Sequence, residues 1–260
     1  GMHYAVVVRA PMARAKALSV NAASARGMPG VTDIFEISTG VAVVAQSFWQ
    51  AKQAAAKIDV QWDSMPQGAV DTDMLRRDYA AALDAGDGVE GPVEGDIDVA
   101  LQSAAMTHEA DYWTPLLSHS PMEPVNAVVR IEGDQADVST GIQFPSAVPG
   151  LVSRVANIPA ENVRFHQTYL GGGFGRRGSP SHIIEAAEIA KATGKPIQLV
   201  WTREDDIQQG PFRPASLMRI KAGVDKDGNL IAWDAARAGA DISPDTFRSM
   251  LPALYSLSLI

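Results

Sequence analysis

The chain has 260 residues, 46% apolar and 20% charged, the composition of a globular protein with a sizeable core rather than a disordered one. It has no cysteine, which excludes disulfides, thiolate-bound zinc and Cys-ligated iron–sulfur clusters within it. The net charge of −8 is uneven: residues 78–129 carry ten acidic and no basic side chains, against 22 basic and 20 acidic elsewhere, so this solvated acidic face opposes nucleic-acid binding.

Residues 3–10 (HYAVVVRA) read as a strand, apolar without alternation and therefore buried on both faces. A short strand at 17–20 and a brief helix at 21–26 follow, stopped by residues 27–30 (GMPG). Strands at 31–37 and 40–45 flank a Ser-Thr-Gly turn. Ser47 caps a helix reaching Lys57, with Phe48, Ala51, Ala54 and Ala55 on its apolar side, and 58–62 returns as a strand. The run 63–68 (DSMPQG) then marks a boundary, so residues 1–65 are expected to form a small mixed module. Residues 66–98 read as an acidic connector, helical over 73–83 and a mobile Gly/Asp/Glu-rich loop over 86–95.

From residue 99 to 260 the pattern is that of a larger α+β domain. Asp96 or Asp98 caps a helix ending near Ala105, and 106–113 alternates as a strand. Strands 127–131 and 136–140 form a hairpin that leads to Gln143. Ser146 is placed to cap a helix ending near Asn157. Strands are expected at 163–170, 197–201, 216–224 and 230–235, the last two joined by the turn 225–229 (DKDGN). The apolar run 250–260 (MLPALYSLSLI) calls for cover from a neighbour or from further chain, and Gly1 before Met2 reads as an expression remnant with the natural start upstream. No apolar run reaches the ~18 residues of a membrane helix and no leader is visible, which leaves cytoplasm and periplasm both open.

Chemistry concentrates in residues 171–178 (GGGFGRRG), between the 163–170 strand and a helix for which Ser179 and Pro180 suit the cap and first turn. Ile183, Ile184, Ala187 and Ala190 give that helix its apolar stripe, and Gly194 and Pro196 close it. A glycine loop beside a helix N-terminus lets an anion approach backbone N–H groups. Arg176 and Arg177 add forked donors, and being adjacent they diverge: one is expected to face a phosphate or carboxylate, the other the protein. The loop could be a tight turn in a packed core. It could also be a dinucleotide fingerprint, Gly173-x-Gly175-x-x-Gly178, serving a nicotinamide dehydrogenase; but Pro180 delays the helix, and the acids 204–206 come later than the ~20 residues that fingerprint requires. A phosphate-binding P-loop is excluded, because no Gly-Lys-Ser/Thr is present. His119 and Glu123 have the i, i+4 spacing of metal ligands, but Pro121 prevents the helix that would align them, which favours a loop with satisfied side chains. Residues 203–206 (REDD) are read as a buried network or a solvated turn without catalytic role.

Beyond these residue-level readings there is a resemblance. Residues 169–177 (YLGGGFGRR), 119–124 (HSPMEP), 201–207 (WTREDDI), 212–214 (FRP) and 41–51 (VAVVAQSFWQA) together resemble the large subunit of molybdenum hydroxylases, the xanthine oxidase and aldehyde oxidoreductase family, in its isoquinoline 1-oxidoreductase branch. The resemblance spans most of residues 2–240. It implies that residues 1–65 are an "a/b hammerhead" module and 99–260 part of a first molybdopterin-binding domain. It implies a molybdenum ion held by a pterin dithiolene, as pterin cytosine dinucleotide, which suits a chain without cysteine, and a separate small subunit carrying two [2Fe–2S] clusters. By family pattern Gln143 places its amide near the metal's oxo ligand, backbone N–H groups of Gly172, Gly173, Phe174 and Gly175 face the cofactor, and Phe174 walls the substrate pocket. The family's catalytic Glu belongs to a C-terminal part that this chain does not contain, so the chain is expected to be a fragment, inactive by itself. Arg177-Gly178 stands where the xanthine oxidase branch has a substrate-binding Glu, which argues against purines. A non-catalytic binding module is the remaining alternative.

Overall fold

The computed structural model describes residues 1–11, 15–63 and 71–240. In chain order the elements are β1 (His3–Val8), β2 (Ala17–Asn21), α1 (Ala23–Arg26), β3 (Val31–Ile37), β4 (Gly40–Ala45), α2 (Phe48–Ala55), β5 (Asp59–Trp62), α3 (Thr72–Ala85), α4 (Ile97–Ser103) and β6 (Met106–Thr114). They continue with β7 (Asn126–Glu132), β8 (Gln135–Thr140), α5 (Val148–Ala156), β9 (Val163–Gln167), α6 (Ser181–Thr193), β10 (Ile197–Val200), α7 (Arg203–Gln209), β11 (Ser216–Val224) and β12 (Leu230–Gly239). The architecture is mixed α/β and falls into two compact units, one from the described residues up to 63 together with 118–211, the other from 71–117 and 212–240.

The first unit is organised by a seven-stranded sheet in the order β3-β4-β1-β10-β7-β8-β9. Interior strand β1 is antiparallel to β4 on one edge and parallel to the central strand β10 on the other, in register His3 with Ile197 and Ala5 with Leu199. The unbroken apolar run follows from burial of both faces. Ala5, Val7, Ala42 and Val44 point into a core shared with α5 and α6, where Val152, Ile183, Ala187 and Ile189 close over Val129, Val138 and Leu199. Val6, Val41 and Val43 point the other way, into a second core under α2 with Ile34, Ala51 and Ala54. Strands β2 and β5 form a separate ribbon whose Val20 and Val60 pack against this second core.

The second unit is the sheet β12-β11-β6 with α3 and α4 on one face. Trp113 lies on that face under Tyr79, ring centroids 6.1 Å apart, and Arg219 reaches both Asp111 and Asp84, which raise its pKa. Met106, Tyr112, Met218 and Trp233 are exposed. No described helix is long and apolar enough to cross a membrane.

Three expectations are corrected. Residues 1–65 do not stand apart from the rest, because β1 hydrogen-bonds to β10, which itself pairs with β7; an apolar strand declares that it is buried but not beside which partner. The span 66–98 is more than a connector: α3, capped by Asp71 through Met74 N–H at 2.7 Å, packs on β11 and β12, while Asp96 caps α4 as expected. Neither Ser146 nor Ser179 caps a helix. Pro145–Ala147 forms a 3-10 turn before α5, and Pro180 occupies the cap position of α6, its carbonyl accepting from Ile183 and Ile184. The apolar run 250–260 lies outside the described residues.

Helix α6 is buried on nearly every side and carries two polar groups inward, His182 and Glu185. Thr140 Oγ1 donates to the Asn126 carbonyl at 2.6 Å, so His182 Nε2–H donates to Thr140 Oγ1 at 3.3 Å. Burial first, then the Arg176 and Arg177 charges, pull the His182 pKa to about 3. The folded state therefore keeps this ring neutral, while the unfolded chain protonates it below about pH 6.5. The resulting stability is complete above pH 6.5 and is lost as pH falls toward 3, by up to about 1.4 kcal/mol per pH unit. Urea unfolding between pH 7 and 4 should show this slope in the wild type and a shallower one in His182→Gln. Equal slopes would contradict it.

Candidate functional site

Three segments of the first unit converge at one end of its sheet: 118–125 leading into β7, 141–144 leaving β8, and 171–178 beyond β9. Their closeness is set by small residues. A Cβ at Gly173 would sit 3.1 Å from Gln143 Cδ, one at Gly178 3.3 Å from Phe144, and one at Gly171 would run into Glu123. Gly172 and Gly175 have φ of +102° and +93°, conformations that a side chain resists. Phe174 takes a left-handed conformation (φ 53°) without being glycine, as does Ser120 (φ 41°) on the facing segment. Strained non-glycine backbone of this kind gathers where function requires it.

The directions of the loop's N–H groups follow from where its carbonyls go. A trans peptide points C=O and N–H in opposite directions, and no described peptide is cis. The Gly171 carbonyl accepts from Glu123 N–H at 3.1 Å, the Gly172 carbonyl from Arg177 Nε at 3.0 Å, and the Gly173 carbonyl from Arg176 N–H at 2.8 Å. The first two are drawn to neighbouring segments and side chains and the third closes the turn of the loop, so the next N–H in each case, that of Gly172, Gly173 and Phe174, points away from that bond. Among the described residues these three N–H groups have no hydrogen-bond partner. Consecutive outward N–H groups form a concave donor site suited to an anion or an oxo atom.

Gln143 stands at the rim. Its Oε1 accepts from Gly175 N–H at 3.0 Å, which fixes the amide so that Nε2 is the outward donor. Its own N–H donates to the Arg177 carbonyl at 3.0 Å. Phe174 is 61% exposed, its ring lying back over Gly172, which also approaches Pro121. Met122 and Phe144 are exposed on two of these segments, and Tyr169 just before the third.

The two arginines do not divide between ligand and protein: both side chains are buried. Arg177 spends its fork on the carbonyls of Gly172, Gly141 (3.1 Å) and Glu123 (3.0 Å) and on the Glu123 carboxylate. Arg176 pairs through Nε with Asp206 Oδ1 at 2.9 Å and lies 4.8 Å from the Trp201 ring centroid. Burial draws its pKa below the usual arginine range, against the opposing pull of Asp206. Its Nη1 and Nη2 are buried without a partner. Behind it the network continues. Glu185 accepts from Arg9 (2.6 Å), Thr39 (2.6 Å) and Trp201 Nε1 (2.8 Å), and the Arg9 guanidinium lies 3.9 Å from the Trp201 ring centroid.

Residues 203–206 thus resolve into α7, with Thr202 and Asp205 forming its capping box and Asp206 in the buried network. Glu123 is satisfied, as expected of the Pro121 loop: it accepts from Asn126 Nδ2 at 3.0 Å and Gly171 N–H at 2.9 Å. Burial pushes its pKa up, but these bonds and the Arg177 charge hold it below the ordinary glutamate range. Sequence reading did not connect Glu123, Trp201 or Asp206 to the loop, because they stand on segments far apart in the chain, although 203–206 was read as a possible buried network. The dinucleotide reading loses its geometry, because Arg176–Gly178 forms a 3-10 turn and α6 starts only at Ser181.

Residues 86–242, more than half of the chain, match the molybdopterin cofactor-binding domain. The chain is 30% identical over 248 residues to isoquinoline 1-oxidoreductase subunit beta of Brevundimonas diminuta, covering 89% of this chain and 31% of that protein. It is 30% identical over 227 residues to the aldehyde oxidoreductase molybdenum-binding subunit PaoC of Escherichia coli K12, covering 82% and 29%. The fold matches aldehyde oxidoreductase from Desulfovibrio gigas with a TM-score of 0.68 and 20% identity, covering 91% of this chain and 31% of that one. The chain thus spans about a third of the length of these relatives. By its sequence match the chain belongs to the molybdopterin cofactor-binding domain family.

Proposed function

We propose that the chain is a segment of a molybdenum hydroxylase large subunit and that the 171–175 loop, with Gln143, forms its hydrogen-bonding cradle for the molybdopterin cofactor. The observation carrying this reading is the set of three outward N–H groups beside the outward Gln143 amide. The donor chemistry fits the group. All four donors are neutral and suit the oxo-type ligands of a metal held by its own organic chelate. Among the described residues, no group of three or more His, Asp or Glu could hold a metal directly. When bound, the cofactor supplies the redox centre that takes two electrons from substrate in exchange for oxygen from water.

The residues of this chain bind and orient. Gly172, Gly173 and Phe174 N–H groups and Gln143 Nε2 withdraw negative charge without adding positive charge, and neutral preorganised donors need no reorganisation during reaction. Phe174 gives an apolar wall for a flat substrate, which fits N-heterocycles and aldehydes. Arg176 and Arg177 serve the cofactor from behind, through the loop they anchor. No residue here is assigned the base; by family pattern a Glu outside this chain fills that role. In the same reading the cofactor is the pterin cytosine dinucleotide, a small subunit with [2Fe–2S] clusters passes the electrons on, and residues 1–65 are the counterpart of the hammerhead element.

The test uses the full-length protein that contains this chain. Purified wild type should carry about one molybdenum per large subunit and reduce a dye with isoquinoline or an aromatic aldehyde as substrate. Gln143→Ala should lower kcat, on the order of 100-fold as for loss of one preorganised donor, with KM little changed. A wild type free of molybdenum, or an unchanged kcat in Gln143→Ala, would refute the assignment.

A further inference from the structure

Glu123 touches the glycine loop and Arg177 but not the cradle itself, and its geometry gives it a role there. We infer that Glu123 and Arg177 act as a positioning pair that sets the direction of the loop's N–H groups toward the cofactor. The inference rests on the molybdopterin reading of the loop and extends it to residues that never meet the cofactor.

Glu123 grips Gly171 at both ends: its N–H donates to the Gly171 carbonyl at 3.1 Å, and its Oε2 accepts from Gly171 N–H at 2.9 Å. Arg177 takes the next carbonyl, that of Gly172, at 3.0 Å. Its remaining donors reach Gly141, which precedes Gln143 by two residues, and the carbonyl and carboxylate of Glu123. One buried guanidinium therefore ties together all three segments of the site. The Glu123 carboxylate in turn bonds Arg177 and Asn126, so that the fork is held in one orientation. Rotating the Gly172–Gly173 peptide would break the Nε bond and turn the Gly173 N–H inward. Phe174, strained at φ 53°, has no reason to stay there once that peptide is free. The fork is what matters rather than its charge: the three N–H groups of an ammonium share one nitrogen, whereas Nε, Nη1 and Nη2 of Arg177 reach separate acceptors on three segments.

The experiment compares Arg177→Lys, Glu123→Gln, the double variant and Arg164→Lys in the full-length protein. Arg164 pairs with Asp137 on the exposed edge strand β9 and serves as control. Three properties are read: thermal unfolding, molybdenum retained through dialysis, and the g values of the Mo(V) electron paramagnetic resonance signal after partial reduction. The pair predicts that both single variants fold, lose molybdenum about 10- to 100-fold faster, as when the outer support of a metal site is removed, and show shifted g values. The double variant should be no worse than the worse single one, since each residue acts through the other. Arg164→Lys should match the wild type. A role in stability alone would lower the melting temperature and leave the g values of the retained metal unchanged, which would overturn the inference. So would an Arg177→Lys protein indistinguishable from wild type, which would make charge sufficient. Should Arg177→Lys fail to fold, Glu123→Gln decides by the same readings. A wild type without molybdenum would overturn the cofactor reading itself, whereas normal loading with silent variants overturns only the positioning pair.

Discussion

Everything at this site depends on one property of the peptide bond, that its C=O and N–H point opposite ways. Pulling three successive carbonyls of a glycine loop into hydrogen bonds leaves the three N–H groups that follow them facing away from those bonds. The protein does the pulling with a backbone N–H on Glu123, a guanidinium on Arg177 and the backbone N–H of Arg176. The glycines let the loop adopt that path; they do not choose it. The choice is made from behind, by the buried Arg176 and Arg177 and the half-buried Glu123.

Those groups are expensive to bury, and the structure shows how the cost is met. An unpaired charge in a core costs several kcal/mol, and three buried arginines, Arg9, Arg176 and Arg177, gather behind this loop with the partly exposed Arg203. Each has a carboxylate: Glu185, Asp206, Glu123, and Asp206 again. Trp201 adds a ring face for Arg9 and Arg176 and an indole N–H for Glu185. Such an arrangement contributes little net stability compared with an apolar core of equal volume. What it gives is direction, since charge-assisted bonds hold a fork in one orientation where apolar packing would tolerate several. His182 sits beside these cations and remains neutral for that reason, as well as by its burial. The central sheet supplies the rigid frame: β8, β9 and the entry to β7 all end where the loop is held.

The sequence was most legible where one segment carries its own signal. Unbroken apolarity at residues 3–8 meant burial on both faces, and the side chains of β1 do alternate between two cores. The glycine loop between a strand and a helix was visible, whereas the bond from Gly175 N–H to Gln143 Oε1, 32 residues apart in the chain, was not. What stayed hidden was pairing at long range. The strand β1 gave no hint that it lies against β10, so the first 65 residues looked self-contained. Two adjacent arginines after a glycine loop looked like ligand groups, because nothing local shows that Glu123 and Asp206 wait for them on other segments. The expected serine caps failed for a local reason: prolines beside Ser146 and Ser179 set the first turns, and the hydroxyls were left out.

The central claim is that the loop presents N–H groups rather than carbonyls to a molybdopterin. A crystal structure of the full-length protein with its cofactor tests this most directly. The account predicts Gly172, Gly173 and Phe174 nitrogens and Gln143 Nε2 facing the ligand atoms around molybdenum, with at least two of them in hydrogen-bond range, about 2.7–3.2 Å. A cofactor bound elsewhere, or a loop turned so that the Gly172 or Gly173 carbonyl faces it, would contradict the account.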